Sequence, residues 1–95
     1  MNIYVAEDID VKARRIGKTV HLNGKMRGIG LGSDWRSLTT LPVGMRPDIP
    51  VYFTGAPTLE NNVVQMDVET DGVLYAKTLG GTVDGITFSA SWPVA

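Results

Sequence analysis

The segment MDVETDGVLYAK (residues 66–77) decides the fold class, because apolar and polar residues alternate on both sides of an Asp-Gly pair. In an extended chain, Met66 and Val68 point to one side, and Asp67 and Glu69 point to the other. An Asp-Gly pair between two such arms favours a two-residue type I′ turn. The segment therefore predicts a β-hairpin with the two carboxylates on its solvated face.

A two-residue turn at Asp71 and Gly72 also fixes which residues lie opposite each other. The predicted pairs are Thr70 with Val73, Val68 with Tyr75, Met66 with Lys77, and Val64 with Leu79. The apolar residues of both arms then share one face, with Lys77 as the exception. A shift of one residue would move one arm's apolar set to the opposite face, so this pairing is the expected one.

The spacing of Asp67, Glu69, Asp71 and Gly72 is also the beginning of a calcium-binding loop. An EF-hand loop requires a bidentate Glu six residues after its Gly and a helix on each side. Thr78 occupies that position, and no helical pattern flanks the segment. We therefore reject the calcium loop in favour of the hairpin.

The rest of the chain, with 11 Gly and 5 Pro, has the same β character, because no window of helical length has apolar residues at i, i+3, i+4 and i+7 without an interrupting Gly or Pro. A second turn is expected at Gly17 and Lys18, where a Gly in the first position suits a two-residue type II′ turn. It sets Arg15 opposite Val20, Ala13 opposite Leu22, and Val11 opposite Gly24. Further extended segments are residues 3–16, 19–28, 35–41, 51–55 and 86–92.

These elements predict an all-β fold, a single antiparallel β-sandwich or barrel. A chain of 95 residues forms one domain. We expect residues 11–95 to form the β head domain and residues 1–10 to be an N-terminal lead or the remnant of a stalk.

Composition excludes several functions. Nine Lys and Arg residues against ten Asp and Glu residues leave no basic excess for nucleic acid. The chain has no Cys, and therefore no thiolate metal site or disulfide. No apolar run approaches the roughly 18 residues of a membrane span, so we expect no membrane insertion. The first residues carry acids and no basic segment, which predicts synthesis without a signal peptide.

Catalytic and cofactor motifs fail on spacing. GKT (residues 17–19) lacks the Gly that a phosphate-binding loop needs five residues earlier, and GIGLG (residues 28–32) lacks the third Gly of the dinucleotide motif. Carboxylates near loops are Asp34, Asp48 and Glu60, but nothing sets their separation for glycoside hydrolysis. We expect no catalytic residue, no cofactor and no metal.

Trp35 is the strongest candidate for ligand binding. It lies between Asp34 and Arg36 at a junction of loop and strand, where an amphipathic ring with polar groups at its edge suits a sugar. The alternative is that Trp35 packs over a barrel end. Trp92, in phase with Phe88 in the last strand, is expected in the core.

Three further residues are candidates with open alternatives. His21, the only histidine, lies in a strand either as an exposed bystander or as a hydrogen-bonding group of a ligand site. Tyr52 and Phe53 point to opposite faces, so one of them is expected outward. Asn61 lies in the polar loop LENN (residues 59–62), which offers adaptable hydrogen-bonding groups.

Four segments taken in order carry a resemblance to a known family. They are ARRIGKTVHLNGKM (13–26), LTTLPVGMRPDIPVYF (38–53), VETDGVLYA (68–76) and ITFSASWPVA (86–95). This order resembles the C-terminal receptor-binding head domains of tail-fibre, tail-tip and baseplate proteins of phages and prophages of Gram-positive hosts. In those heads, a strand pair joined by GN or GK precedes an LP-x-G-x-RP loop, and a DG hairpin leads to a last strand ending near WP or YP.

The resemblance implies a homotrimeric virion structural protein at the tail tip, which works outside the cell and contacts other tail or baseplate proteins. It implies host recognition by binding cell-wall polysaccharide, teichoic acid or a related glycan, without catalysis. Trp, His, Asp and Arg often surround the sugar in such heads. The residues of these types near loops are His21, Asp34, Trp35 and Arg36. With Tyr52 and Asn61 they form the set of candidate ligand-binding residues.

One departure from the family concerns the start of the chain. Such heads normally follow a long stalk, and only about ten residues precede the head here. An excised domain and a short separate protein both fit. Two rival functions also remain: a structural trimerisation or capping module without a glycan site, and a small cell-wall glycan hydrolase.

Overall fold

The computed structural model describes residues 2–6, 9–27, 31–57, 63–79 and 85–94. The strands are β1 (Asn2–Ala6), β2 (Ile9–Ile16), β3 (Thr19–Met26), β4 (Arg36–Thr40), β5 (Val51–Pro57), β6 (Val64–Val68), β7 (Val73–Thr78) and β8 (Ile86–Pro93), with one 3-10 helix at Val43–Met45. No α-helix occurs within these described ranges, so none there is long and apolar enough to span a membrane. The predicted all-β class is confirmed.

The eight strands form one sheet in the order β1-β2-β3-β8-β5-β6-β7-β4, with neighbours antiparallel. The sheet curls into a half-barrel. Its two edge strands, β1 and β4, approach each other to within 8 Å between Cα atoms. Asn2–Ala6, within the expected N-terminal lead, pairs with β2 and is an edge strand of this same sheet.

The first hairpin has the predicted pairing. Arg15 lies opposite Val20 and Ala13 opposite Leu22. Gly17 has a φ of 61°, the left-handed conformation that a residue with a Cβ rarely adopts. The Gly at the start of this turn therefore sets the register of β2 against β3.

The register predicted for the second hairpin is wrong by one residue. Val68 pairs with Leu74 rather than Tyr75, Met66 with Ala76, and Val64 with Thr78. The turn has three residues instead of two: the Gly72 amide donates to the Glu69 carbonyl, and the Glu69 amide donates to the Val73 carbonyl. With Gly72 at φ 85°, this is a type I turn closed by a left-handed residue.

The new register places Leu74, Ala76 and Thr78 on the buried face, and leaves Leu79 exposed. The core lies on the concave side of the curled sheet and is almost wholly aliphatic. Its largest fully buried side chains are Leu22, Met26, Leu31, Leu41, Met66, Leu74 and Ile86.

Two aromatic contacts complete the core. Gly24 leaves room for the Phe88 ring, which a Cβ at that position would overlap. Trp92 is buried as predicted, and its indole Nε1 donates to the Met45 carbonyl at 2.8 Å.

Two side chains hold the loop at residues 41–50 against the sheet. Arg15 Nη1 on β2 donates to the Gly44 carbonyl at 2.9 Å, and the Trp92 indole on β8 donates to Met45 as described.

Candidate functional site

The convex side of β5, β6 and β7 carries a row of polar and aromatic side chains. Alternation along each strand places these residues opposite the core, and the register sets them side by side. We call this surface the outer face; its residues are Tyr52, Thr54, Gln65, Asp67, Tyr75 and Lys77. Tyr52 pairs with Asp67 and Thr54 with Gln65. On the other side of β6, Asp67 pairs with Tyr75 and Gln65 with Lys77.

Trp35 lies over this face and lines two adjoining grooves. The first, here called the acidic groove, has a volume of about 410 Å³ and is lined by Trp35, Asp67, Glu69, Thr70, Asp71 and Tyr75. The second, the aromatic groove, has a volume of about 420 Å³ and is lined by Trp35, Tyr52, Phe53, Thr54, Gln65 and Met66. The Trp35 ring thus forms part of the wall of both grooves.

A cation–π contact orients the Trp35 ring. The Lys77 Nζ lies 4.8 Å from the ring centroid, within the range of a favourable contact. Arg36, the first residue of β4, pairs with Ala76. Trp35, which precedes Arg36, therefore lies beside Lys77, which follows Ala76 and points outward. The ring remains 45% exposed, and nearby Tyr52 is 70% exposed. Two aromatic surfaces are therefore open to a ligand.

Asp67 lies on the outer face as predicted, but it is buried there and not solvated, contrary to the prediction. Only 8% of the residue is exposed, and the register sets Tyr52 on one side of it and Tyr75 on the other. The sequence pattern placed Asp67 on the correct face, but it did not show that two large aromatic neighbours would flank the short carboxylate there. Outside the Asp67–Glu69 pair itself, no residue that the structure describes donates a hydrogen bond to the buried Oδ1 of Asp67 or to the buried Oε2 of Glu69.

The protonation of Asp67 follows from this environment. The pKa of Asp67 is raised from the ordinary 3.8 to about 6, chiefly by burial and in addition by the hydrogen bond with the Glu69 side chain and by the negative charges of Glu69 and Asp71. Asp71 has a separate structural role, because its Oδ1 accepts the Val73 amide at 3.0 Å in the turn. The acidic groove thus holds the buried carboxyl group of Asp67, that of Glu69 beside it, and a third that is fixed in the turn.

The structure separates the predicted site residues. Trp35 and Tyr52 come together in the aromatic groove, as expected of a binding surface. His21 is exposed on β3 and lines a different groove of about 390 Å³ with residues of β8. Asp34 and Arg36 are exposed beside Trp35 but do not line its two grooves. Asn61, with Glu60, lies outside the described residues.

The sequence pattern did not identify Gln65, Tyr75 and Lys77, and it placed Asp67 and Glu69 on the solvated face of the hairpin without a role in a site. The correct hairpin register would have set Tyr75 beside Asp67. Identifying Lys77 as a neighbour of Trp35 also required the pairing of β4 with β7, which joins segments far apart in the chain. That pairing has no local signature in the sequence.

Within residues 2–6, 9–27, 31–57, 63–79 and 85–94, no group of three or more His, Cys, Asp or Glu side chains is arranged to hold a metal ion. The lining of the two grooves makes the outer face an aromatic platform with carboxyl and amide groups at its edges.

The comparisons with known proteins add no relative to this description. No protein-family model matches the chain, and no curated protein matches it.

Proposed function

We propose that this chain is the receptor-binding head of a phage or prophage tail and that it adheres to host cell-surface carbohydrate without catalysis. The order of the four segments given above supports the proposal, as does the all-β head that they form. Its partners are then a cell-wall polysaccharide or related glycan and the neighbouring tail or baseplate proteins. Its place is the tail tip of the virion.

The observation that carries the proposal is the exposed Trp35 ring between two grooves lined by polar groups. A sugar has an apolar face that stacks on an aromatic ring and a rim of hydroxyls that hydrogen-bond to amides and carboxylates. Gln65 on one side of the ring and Glu69 on the other provide such groups. The site thus has both parts that saccharide recognition requires.

Three copies of the head would strengthen a weak site. A shallow groove binds one sugar segment weakly, and linked copies raise the apparent affinity by roughly 10²–10⁴ without any new contact. We therefore include the homotrimer in the proposal. A phage benefits from weak single contacts during its search and from avidity once it is bound.

Trp35→Ala tests the binding surface. We expect the variant to remain folded and to bind purified host wall polysaccharide at least about tenfold more weakly, since stacking on the ring is lost. Leu79→Ala is the matched control, because it also truncates an exposed apolar side chain but lies outside both grooves. A folded Trp35→Ala protein that binds as well as the parent would contradict the proposal, and oligosaccharides released from the polysaccharide would refute the absence of catalysis.

A structural role in assembly is the second candidate. It is favoured by exposed aliphatic side chains near the turn at residues 17–18 and in the loop at residues 41–50, namely Ile16, Val43 and Ile49. If this candidate holds, Val43→Ser lowers the mass measured by light scattering, and the parent does not bind wall polysaccharide. If the receptor-binding proposal holds, the parent binds, and the binding depends on Trp35.

A further inference from the structure

We propose that the acidic groove binds the protonated primary amine of an amino-bearing saccharide whose sugar ring stacks on Trp35. This inference rests on the proposed function and names the class of glycan that the site prefers. The acidic groove is the one lined by Asp67, Glu69, Asp71 and the two aromatic residues Trp35 and Tyr75.

The first argument is unsatisfied hydrogen bonding. Asp67 is more than nine-tenths buried and lines the groove, yet when neither carboxyl group carries a proton, its Oδ1 and Oε2 of Glu69 have no donor. Buried polar atoms are nearly always paired, and leaving one unpaired is costly. An ammonium group has three N–H donors and no acceptor, so it suits two adjacent carboxyl groups that lack donors.

The second argument is charge. The residues lining the acidic groove include three carboxyl side chains and no Lys or Arg. The nearby Lys77 directs its ammonium group at the Trp35 ring. Carboxylates gathered in a partly buried groove attract cations and repel phosphates and uronic acids.

The third argument favours an organic amine over a metal ion as the ligand of the acidic groove. In the part of the chain that the structure describes, the acidic side chains are not arranged as a group of three or more metal ligands. The aromatic walls fit an organic cation instead, because Trp and Tyr rings attract ammonium groups and also contact the carbon atoms beside them. The Trp35 ring continues into the aromatic groove, where the rest of a saccharide has room.

The test compares two oligosaccharides that differ only at nitrogen. The probes are the tetramer of β-1,4-linked glucosamine, which is cationic, and its fully N-acetylated counterpart, and calorimetry measures the affinity of each. We expect the glucosamine tetramer to bind at least about tenfold more tightly than the acetylated one. Glu69→Gln should remove most of that preference, whereas Asp48→Asn, which removes a charge from the exposed loop 41–50, should preserve it.

Each contrary result has a distinct meaning. Equal affinities, or binding of wall polysaccharide but of neither tetramer, would overturn the amine inference and leave the proposed function standing. Equal losses in Glu69→Gln and Asp48→Asn would overturn it as well, because they indicate general charge attraction rather than a site. If neither tetramer nor wall polysaccharide binds, both the inference and the proposed function fail.

Discussion

At the scale of single residues, Asp67 is the most informative position in the molecule. A carboxyl group flanked by two tyrosines on neighbouring strands, with two more acids on its own hairpin, has little reason to be present for stability. Its raised pKa shows that the folded protein holds a proton there more tightly than the unfolded chain does. Such a group is typical of a functional site.

Asp67→Asn should therefore stabilise the fold near neutral pH. Because the folded pKa of about 6 lies above the ordinary 3.8, the parent loses stability as the pH rises from about 4 to about 6 and stays level above that. We expect the variant to be more stable than the parent at pH 7.5, by on the order of 1–3 kcal/mol, and the gain to vanish near pH 4.

Urea unfolding at several pH values measures this difference. The groups around Asp67 are Glu69 and Asp71 on its own hairpin, Tyr75 on β7 and Tyr52 on β5. Asp48→Asn is the control and should show no such pH dependence. A variant less stable than the parent at pH 7.5, with the same difference at pH 4, would contradict the environment described for Asp67.

At the scale of elements, the two hairpins show what the sequence encodes locally. Gly17 and Lys18 made a two-residue turn with the predicted register, but Asp71 and Gly72 became part of a three-residue turn. Asp-Gly serves both kinds of turn, since each needs a left-handed residue at the Gly. The alternation of apolar residues in β6 identified its buried face. In the second arm, the apolar residues Tyr75 and Leu79 also fit a register shifted by one residue, and that register was predicted.

Gly72→Ala tests the three-residue turn. The residue has a φ of 85°, and an added Cβ would lie 2.7 Å from Nε of Arg46, so both strain and overlap oppose it. We expect a loss of about 1–3 kcal/mol in the free energy of unfolding. Gly32→Ala is the control, because a Cβ there meets nothing within 4 Å, and it should change stability little. Equal stability of both variants, measured by urea unfolding, would show that the turn differs from this description.

At the scale of the whole molecule, the fold class was accessible from sequence, but the site was accessible only in part. Alternation and turn residues are local, and they were sufficient for an antiparallel all-β fold. Trp35 and Tyr52 could be picked out as exposed aromatic candidates, yet their meeting over β6 depends on the strand order β5-β6-β7-β4. His21 was grouped with Trp35 by residue type alone, and the sheet places it on β3 beside β8.

The two indole N–H groups offer a direct test of the central claim that the outer face around Trp35 binds host glycan. The Trp35 ring is exposed between the two grooves, whereas the Trp92 Nε1 is held by the Met45 carbonyl at 2.8 Å. The measurement is a ¹H–¹⁵N NMR titration of the protein with fragments of host wall polysaccharide. We predict that the Trp35 indole signal shifts together with the amides of Gln65 and Glu69, while the Trp92 indole signal stays in place. Shifts confined to His21 and its neighbours on β8, or no shift at all, would contradict the account.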